Sequence, residues 1–562
     1  MRTLPITGAR TARHACWPLL CILSLATAVV AQDPAPYDVE QRWRRANAAL
    51  QAGDAQGAAD ELRDVLALPF VPLLGDTYGS ICYDMACALA RLGEEQGALA
   101  QLRRAVDAGY RNVDWMQRDP DLESLHDQEE FASLVKRVED DQRTGAIRYS
   151  KVLDAGYDEQ LPAPLRIAGL SKLWAEAKFN FAYFDQMEKD WDQLYLEAVP
   201  KVLDAASTAD YYECLAELVQ HLSDGHSNVY PPRRLATHYY ATPGFRTEPL
   251  GDDVAVTRIL DTELEDDRFR VGAKVVAIDG VPIDEYAHRS VSPFFLSAST
   301  PQDLAMRRYG RGLLAGAVRD DVTVRFADAA GEFERSFDRR MGWPRDEALE
   351  FRDLDAGIGL LVLRSFGDSS LKQQVAKLAP QILATRGLVI DLRQNGGGNT
   401  PTWLMAVLAK EPFRHNLWQS RTTCGAERAW GRDKGWKGGG GRTVDPDERF
   451  RYAGPVALLI GPKTYSAAED FAVMFDAADR GPLIGEATGG STGQPLMIEL
   501  PGGGRARICT KRDRYPDGRA FVGVGVLPDL EVPRTLADLR AGRDAALERA
   551  LAHLGEALGP RD

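Results

Sequence analysis

Ser466 stands where an apolar run, PVALLIG (455–461), hands over through PKTYS to the helical text AAEDFAVMF (467–475). A serine at such a junction has its hydroxyl exposed and a helix N-terminus behind it, which favours negative charge nearby, as a nucleophile of acyl transfer requires. The same residues also spell a helix start, with Ser466 as N-cap and Glu469, three residues on, completing a capping box. A second feature, GLVIDLRQNGGGNT (387–400), places Asp391, Asn395 and three glycines just past another apolar run. Backbone N–H groups there can face a cleft without Cβ interference, and acyl transfer needs such donors for its oxyanion.

These residues need a scaffold of several parts, and 562 residues exceed what one core organises. GIGLLVLRSF (357–366), GLVIDLR (387–393), PVALLIG (455–461) and PLIGEAT (482–488) are continuous apolar runs, as expected of strands buried on both faces of an α/β domain. Short alternating runs between 244 and 338, among them VAVTRIL (254–260) and VTVRFAD (322–328), predict a β module. Residues 150–235 are helical and aromatic-rich. Between 40 and 138 the text is also helical, and 46–66 can be laid over 86–106 with an offset of 40, matching Gly53 with Gly93, Ala58 with Ala98 and Leu62 with Leu102. The stretch containing GWKGGGGRT (435–443) is expected to be a flexible loop near the cleft.

The first 31 residues carry Arg2, Arg10 and Arg13, an apolar run from Trp17 to Val30, and small residues through Ala31, which is the pattern of a secretory signal peptide. A periplasmic or secreted location and no membrane span after cleavage are expected. The formal charge of −14 is spread along the chain, arguing against a nucleic-acid partner. Cysteines beyond the leader (Cys82, Cys87, Cys214, Cys424, Cys509) are too few and odd for a disulfide framework, although Cys424 and Cys509 could pair. No His/Cys spacing suggests a metal site, and no cofactor is expected.

DLRQNGGG, then TYSAAEDF, GEATGGSTGQP (485–495) and GVGVLPDLEV (523–532), resemble in order and spacing the tail-specific, or C-terminal-processing, serine protease family. RVGAKVVAIDGVPIDEY (270–286) resembles the strand-turn-strand of a PDZ domain, and the N-terminal helices resemble tetratricopeptide repeats. The resemblance implies that Ser466 is the nucleophile and that the N–H of Ala467, with that of Gly396 or Gly397, forms the oxyanion hole. One branch of the family activates its serine with a lysine in a T-x-G-K motif; here Ser491 of TGGS holds that place, and Lys463 lies on the incoming strand. The tricorn-core and retinoid-binding-protein-like branch supplies a histidine, and ELVQHLSDGHSNVY (217–230) has that form. His226 is then the general base, and His221 decorates the helix.

Two departures from the tricorn form leave the residue orienting His226 open among Asp224, Ser227 and Asp517. Gly225 stands where a serine precedes the histidine, and Val522 where a glutamate precedes GVxPD. Glu469 is read as supporting the nucleophile's turn. The expected architecture is a multidomain α+β chain: leader 1–31, helical repeats 36–145, helical subdomain with His226 146–240, PDZ-like module 241–342, α/β peptidase domain 343–540 and C-terminal helix 541–562. The expected function is hydrolysis of protein or peptide substrates through an acyl-enzyme, with a silent ligand- or peptide-binding protein on the same fold as the alternative. Protein partners are expected at the repeats.

Overall fold

The computed structural model describes residues 36–68, 71–74, 76–148, 150–354, 357–432, 435–448 and 450–559, so the leader read over 1–31 lies outside the described residues. The chain divides into two compact units with the boundary between Lys151 and Val152, and its architecture is multidomain α+β.

In the first unit the helices Pro36–Ala52 and Ala55–Leu66 form one pair, and Asp76–Arg91 and Glu95–Asp107 a second. Each pair turns on a glycine in the left-handed region, Gly53 at φ 86° and Gly93 at φ 78°. The N–H of Asp54 then reaches Ala49 O and that of Glu94 reaches Leu89 O, both at 2.9 Å, which satisfies carbonyls left over at the helix end. Ala58, Ala98, Leu62 and Leu102 are all fully buried, so the 40-residue offset in the sequence is also an offset between equivalent turns and core positions. The helix Glu129–Arg148 follows.

The second unit opens with three helices, Ala163–Asn180, Trp191–Asp204 and Thr208–Gln220. Asp190 caps the second through Gln193 N at 2.8 Å, and Ser207 with Asp210 forms a capping box on the third. Their aromatic side chains Phe181, Trp191, Tyr211 and Tyr212 are buried in the same core as one face of the main sheet. A six-stranded antiparallel sheet comes next, in the order Phe245–Leu250, Asp253–Ile259, Lys274–Ile278, Asp321–Asp328, Gly331–Asp338, with the short strand Val281–Pro282 also paired to Lys274–Ile278. Asp279 and Gly280, at φ 49° and 77°, make the tight turn that Asp-Gly favours. Phe245, Phe269, Phe326 and Phe337 fill this module's core.

The central sheet has six strands in the order Leu530–Glu531, Leu483–Gly485, Val456–Ile460, Gly387–Asp391, Ile358–Leu363, Leu349–Leu354. All neighbours are parallel except the last pair. Alternate residues of the apolar runs enter two different cores, Leu361, Ile390 and Leu458 on one face and Leu360, Val389 and Leu459 on the other, where the helix Ala545–Leu558 packs. Burial on both faces is what removes the polar alternation from these strands.

The expected loop at 435–443 is instead largely strand: Trp436–Gly440 pairs antiparallel with Leu417–Arg421, which pairs with Lys511–Arg514. Two of its glycines suit that close pairing, since a Cβ on Gly438 or Gly440 would lie 2.8 Å from Trp418 O or 2.3 Å from Asn416 O. Cys424 is exposed, Cys509 is buried, and both are free, so the pairing considered for them is not formed.

Candidate active site

The turn Pro462–Ser466 leaves the central strand Val456–Ile460 at its C-terminal end, the edge at which open α/β sheets present functional groups. Ser466 occupies it at φ 58° and ψ −126°, a conformation strained for a residue with a Cβ. Behind it Gly397 passes so closely that a Cβ there would lie 2.6 Å from Ser466 Cβ. That contact, together with φ 98° at Gly397, explains one member of the glycine triplet.

His226 comes from a segment distant in the sequence. It lies in the turn between the helix Thr208–Gln220 and the strand Asn228–Tyr230, whose pairing with Gly504–Cys509 fixes its position. The two side chains, 240 residues apart, meet with His226 Nε2 3.0 Å from Ser466 Oγ. The imidazole stacks on the Tyr465 ring at 5.2 Å. Tyr465 O–H donates to Asp303 Oδ2 at 3.1 Å and accepts from Arg307 Nη2 at 2.9 Å. Burial, reinforced by the nearby cations Arg507, Arg307 and Lys511, lowers the pKa of His226 to about 3. The ring is therefore neutral around pH 7, the state of a base.

A neutral ring that accepts the Ser466 proton at Nε2 carries its own proton on Nδ1. The group facing Nδ1 is Ser491 Oγ at 2.8 Å, and none of the three residues considered from sequence takes that place. Asp224 is buried, accepts from Ser227 Oγ at 2.6 Å and lies one step further out, 3.5 Å from Ser491 Oγ. Ser227 is turned to Asp224 and to Cys509 N. Asp517 is exposed and holds Arg519 at 2.7 Å. Sequence inspection had met Ser491 only as the absence of a lysine.

Glu469, which opens the helix Ala467–Ala477, does more than support that start. Its carboxylate is fully buried and accepts from Thr488 Oγ1 at 2.5 Å, Gly490 N at 2.7 Å, Ser491 N at 2.8 Å and Ser466 N at 3.3 Å. Burial pushes its pKa up to about 8, against the pull of those four donors. It thus clips the TGGS loop onto the turn that carries Ser466.

The two glycines considered as N–H donors differ in their surroundings. Gly397 N–H already donates to the buried side chain of Asn395 at 2.9 Å, whereas a Cβ on Gly396 would meet open space. Lys463 points away, to Glu248 and, at 3.2 Å, to Gln394; His221 caps its helix at the exposed surface. Cys87, Asp119 and Asp121 of the first unit bring possible metal ligands together. There Asp119 already accepts from Tyr83 O–H at 2.9 Å and Asp121 from Arg91 Nε at 2.6 Å.

Residues 357–532, which hold the serine turn, the glycine loop and the TGGS segment, match the model of peptidase family S41. Relatives found by comparison include a tricorn protease homolog and a C-terminal processing peptidase. Tricorn protease homolog 1 of Streptomyces coelicolor is 26% identical over 394 residues, covering 65% of this chain and 32% of that protein. The chloroplastic C-terminal processing peptidase of Tetradesmus obliquus is 26% identical over 175 residues, 31% of this chain and 34% of that one. The chain thus spans about a third of the length of these curated relatives. Among solved structures, mature CPAF complexed with lactacystin superposes with a TM-score of 0.55 at 15% identity, covering 70% of this chain and 98% of that one. That likeness is one of fold, and it covers more of the chain than residues 357–532.

Proposed function

We propose that the protein is a serine peptidase that cleaves protein or peptide substrates through an acyl-enzyme on Ser466. The observation that carries this is Ser466 Oγ 3.0 Å from the Nε2 of a buried, neutral His226. Ser466 Oγ adds to the substrate carbonyl carbon as its proton passes to His226 Nε2, while the N–H groups of Gly396 and Ala467 receive the developing oxyanion. Collapse breaks the C–N bond, the departing amine takes the proton from His226, and an ester remains on Ser466. Water then adds to that ester as its proton passes to His226 Nε2; collapse breaks the C–Oγ bond, Ser466 Oγ takes that proton back, and the acid leaves.

The intact serine and histidine pair favours this reading over a silent binding module. In the same reading the six-stranded module is PDZ-like and the N-terminal helix pairs are tetratricopeptide-like. The leader pattern in 1–31 supports a periplasmic or secreted location. The test is labelling by a fluorophosphonate probe. Wild type is expected to label and Ser466→Ala not to label while melting as a folded protein. Labelling that persists in the variant would remove Ser466 from the role.

A further inference from the structure

We infer that Ser491 is the positioning residue of His226, with Asp224 behind it, so that the ring is held by a hydroxyl from the TGGS loop. The inference rests on Ser466 and His226 as nucleophile and base. It goes beyond them in assigning the group that sets the tautomer.

The geometry leaves little alternative. One face of the imidazole is covered by Tyr465, and Nε2 is taken by Ser466. Among the described residues the hydrogen-bond partner of Nδ1 is Ser491 Oγ at 2.8 Å. A hydroxyl can donate or accept, so Ser491 selects a tautomer only if its own proton is committed elsewhere. Asp224 Oδ1, at 3.5 Å, is the acceptor toward which that proton points. The polarity then runs one way: Nδ1–H to Ser491, Ser491 O–H to Asp224, leaving Nε2 as an acceptor for Ser466.

The hydroxyl is also delivered by a fixed peptide. Ser491 N–H donates to Glu469 Oε2 at 2.8 Å and Ser491 O accepts from Ser466 N–H at 3.0 Å, so both sides of the residue are tied to the nucleophile's helix start. Gly490 just before it sits at φ 72°, and a Cβ there would lie 2.4 Å from Thr300 Cγ2. The glycines of TGGS therefore shape the loop, and the serine is what the loop presents. The neighbouring position cannot supply the hydroxyl instead, because a Cβ on Gly225 would fall 1.6 Å from Tyr465 Oη. A side chain just before the base is excluded, and the orienting group comes from elsewhere in the fold.

The test combines one measurement on wild type with one on a variant. The 15N NMR signals of His226 in the full chain are expected to show a single neutral tautomer protonated at Nδ1 between pH 5 and 8. Protonation at Nε2 would overturn the inference without any mutant. Ser491→Ala is expected to lose that single-tautomer signature and to lower kcat on a peptide ester about tenfold to a hundredfold, with KM unchanged and the melting temperature near wild type. An unchanged kcat with an unchanged tautomer would overturn it as well. If wild type fails to react with the fluorophosphonate probe, the peptidase reading falls, while the NMR result still decides what orients His226.

Discussion

The side chains at the site are constrained by their neighbours more tightly than by their own chemistry. Gly225 is the sharpest case, since the Tyr465 hydroxyl and the Asp303 and Arg307 side chains fill the space a Cβ would take. Gly225→Ala is expected to displace Tyr465, cost about 3 kcal/mol or more, and slow probe labelling far more than a surface alanine would; melting and labelling of the purified variant check it. Ser466 is held at a strained φ of 58°. Because glycine adopts that conformation without the Cβ penalty, Ser466→Gly is expected to be more stable than the equally inactive Ser466→Ala by about 1 kcal/mol, measured by denaturant unfolding. His226, with its pKa lowered by burial to about 3, stays neutral in the folded protein where the unfolded chain would protonate near 6.5. Labelling rates are therefore expected to show no inflection near pH 6.5. This residue destabilises the fold progressively as pH falls from about 6.5 toward 3.

At the level of elements, the turn before Ser466 is braced from the β module. Glu248, on the strand Phe245–Leu250, is buried and meets both Lys463 and Arg534. Burial alone would raise its pKa, but the two cations outweigh that and hold it below the usual glutamate range. A depressed carboxylate stabilises the fold above its unfolded pKa and loses that contribution as pH falls through the folded one. Glu248→Gln is expected to cost about 3 kcal/mol at pH 7, with the deficit shrinking in acid; unfolding curves at several pH values would show it. Glu469 plays the same bracing part between the nucleophile helix and the TGGS loop. Its four donors explain why a residue that looks like an ordinary capping glutamate is fully buried.

For the whole molecule, the unit ending at Lys151 has its own continuous core, and the residues of the site all lie in the unit beginning at Val152. A chain starting at Val152 is expected to fold and to label with the probe at the wild-type rate, and calorimetry of the full chain is expected to resolve two transitions. Loss of labelling in the shortened chain would mean that the first unit supports the site. Among the described residues no helix is long and apolar enough to cross a membrane.

Sequence by itself determined the elements whose signals are local. Continuous apolar runs marked the strands of the central sheet, the Gly53 and Gly93 turns marked the helix pairs, and the order of motifs pointed to Ser466 and His226. It also told in advance that no lysine occupies the position held by Ser491. Tertiary structure alone decided what touches Nδ1, where the Gly397 N–H is bound, and why a glycine stands before His226. Those are contacts between segments that share no pattern along the chain: Ser491 and His226 are 265 residues apart, and Tyr465 and Arg307 are 158. The glycine-rich strand at 436–440 was hidden for a related reason. Its pairing depends on close approach to the backbone around Asn416 and Trp418, which composition reads only as flexibility.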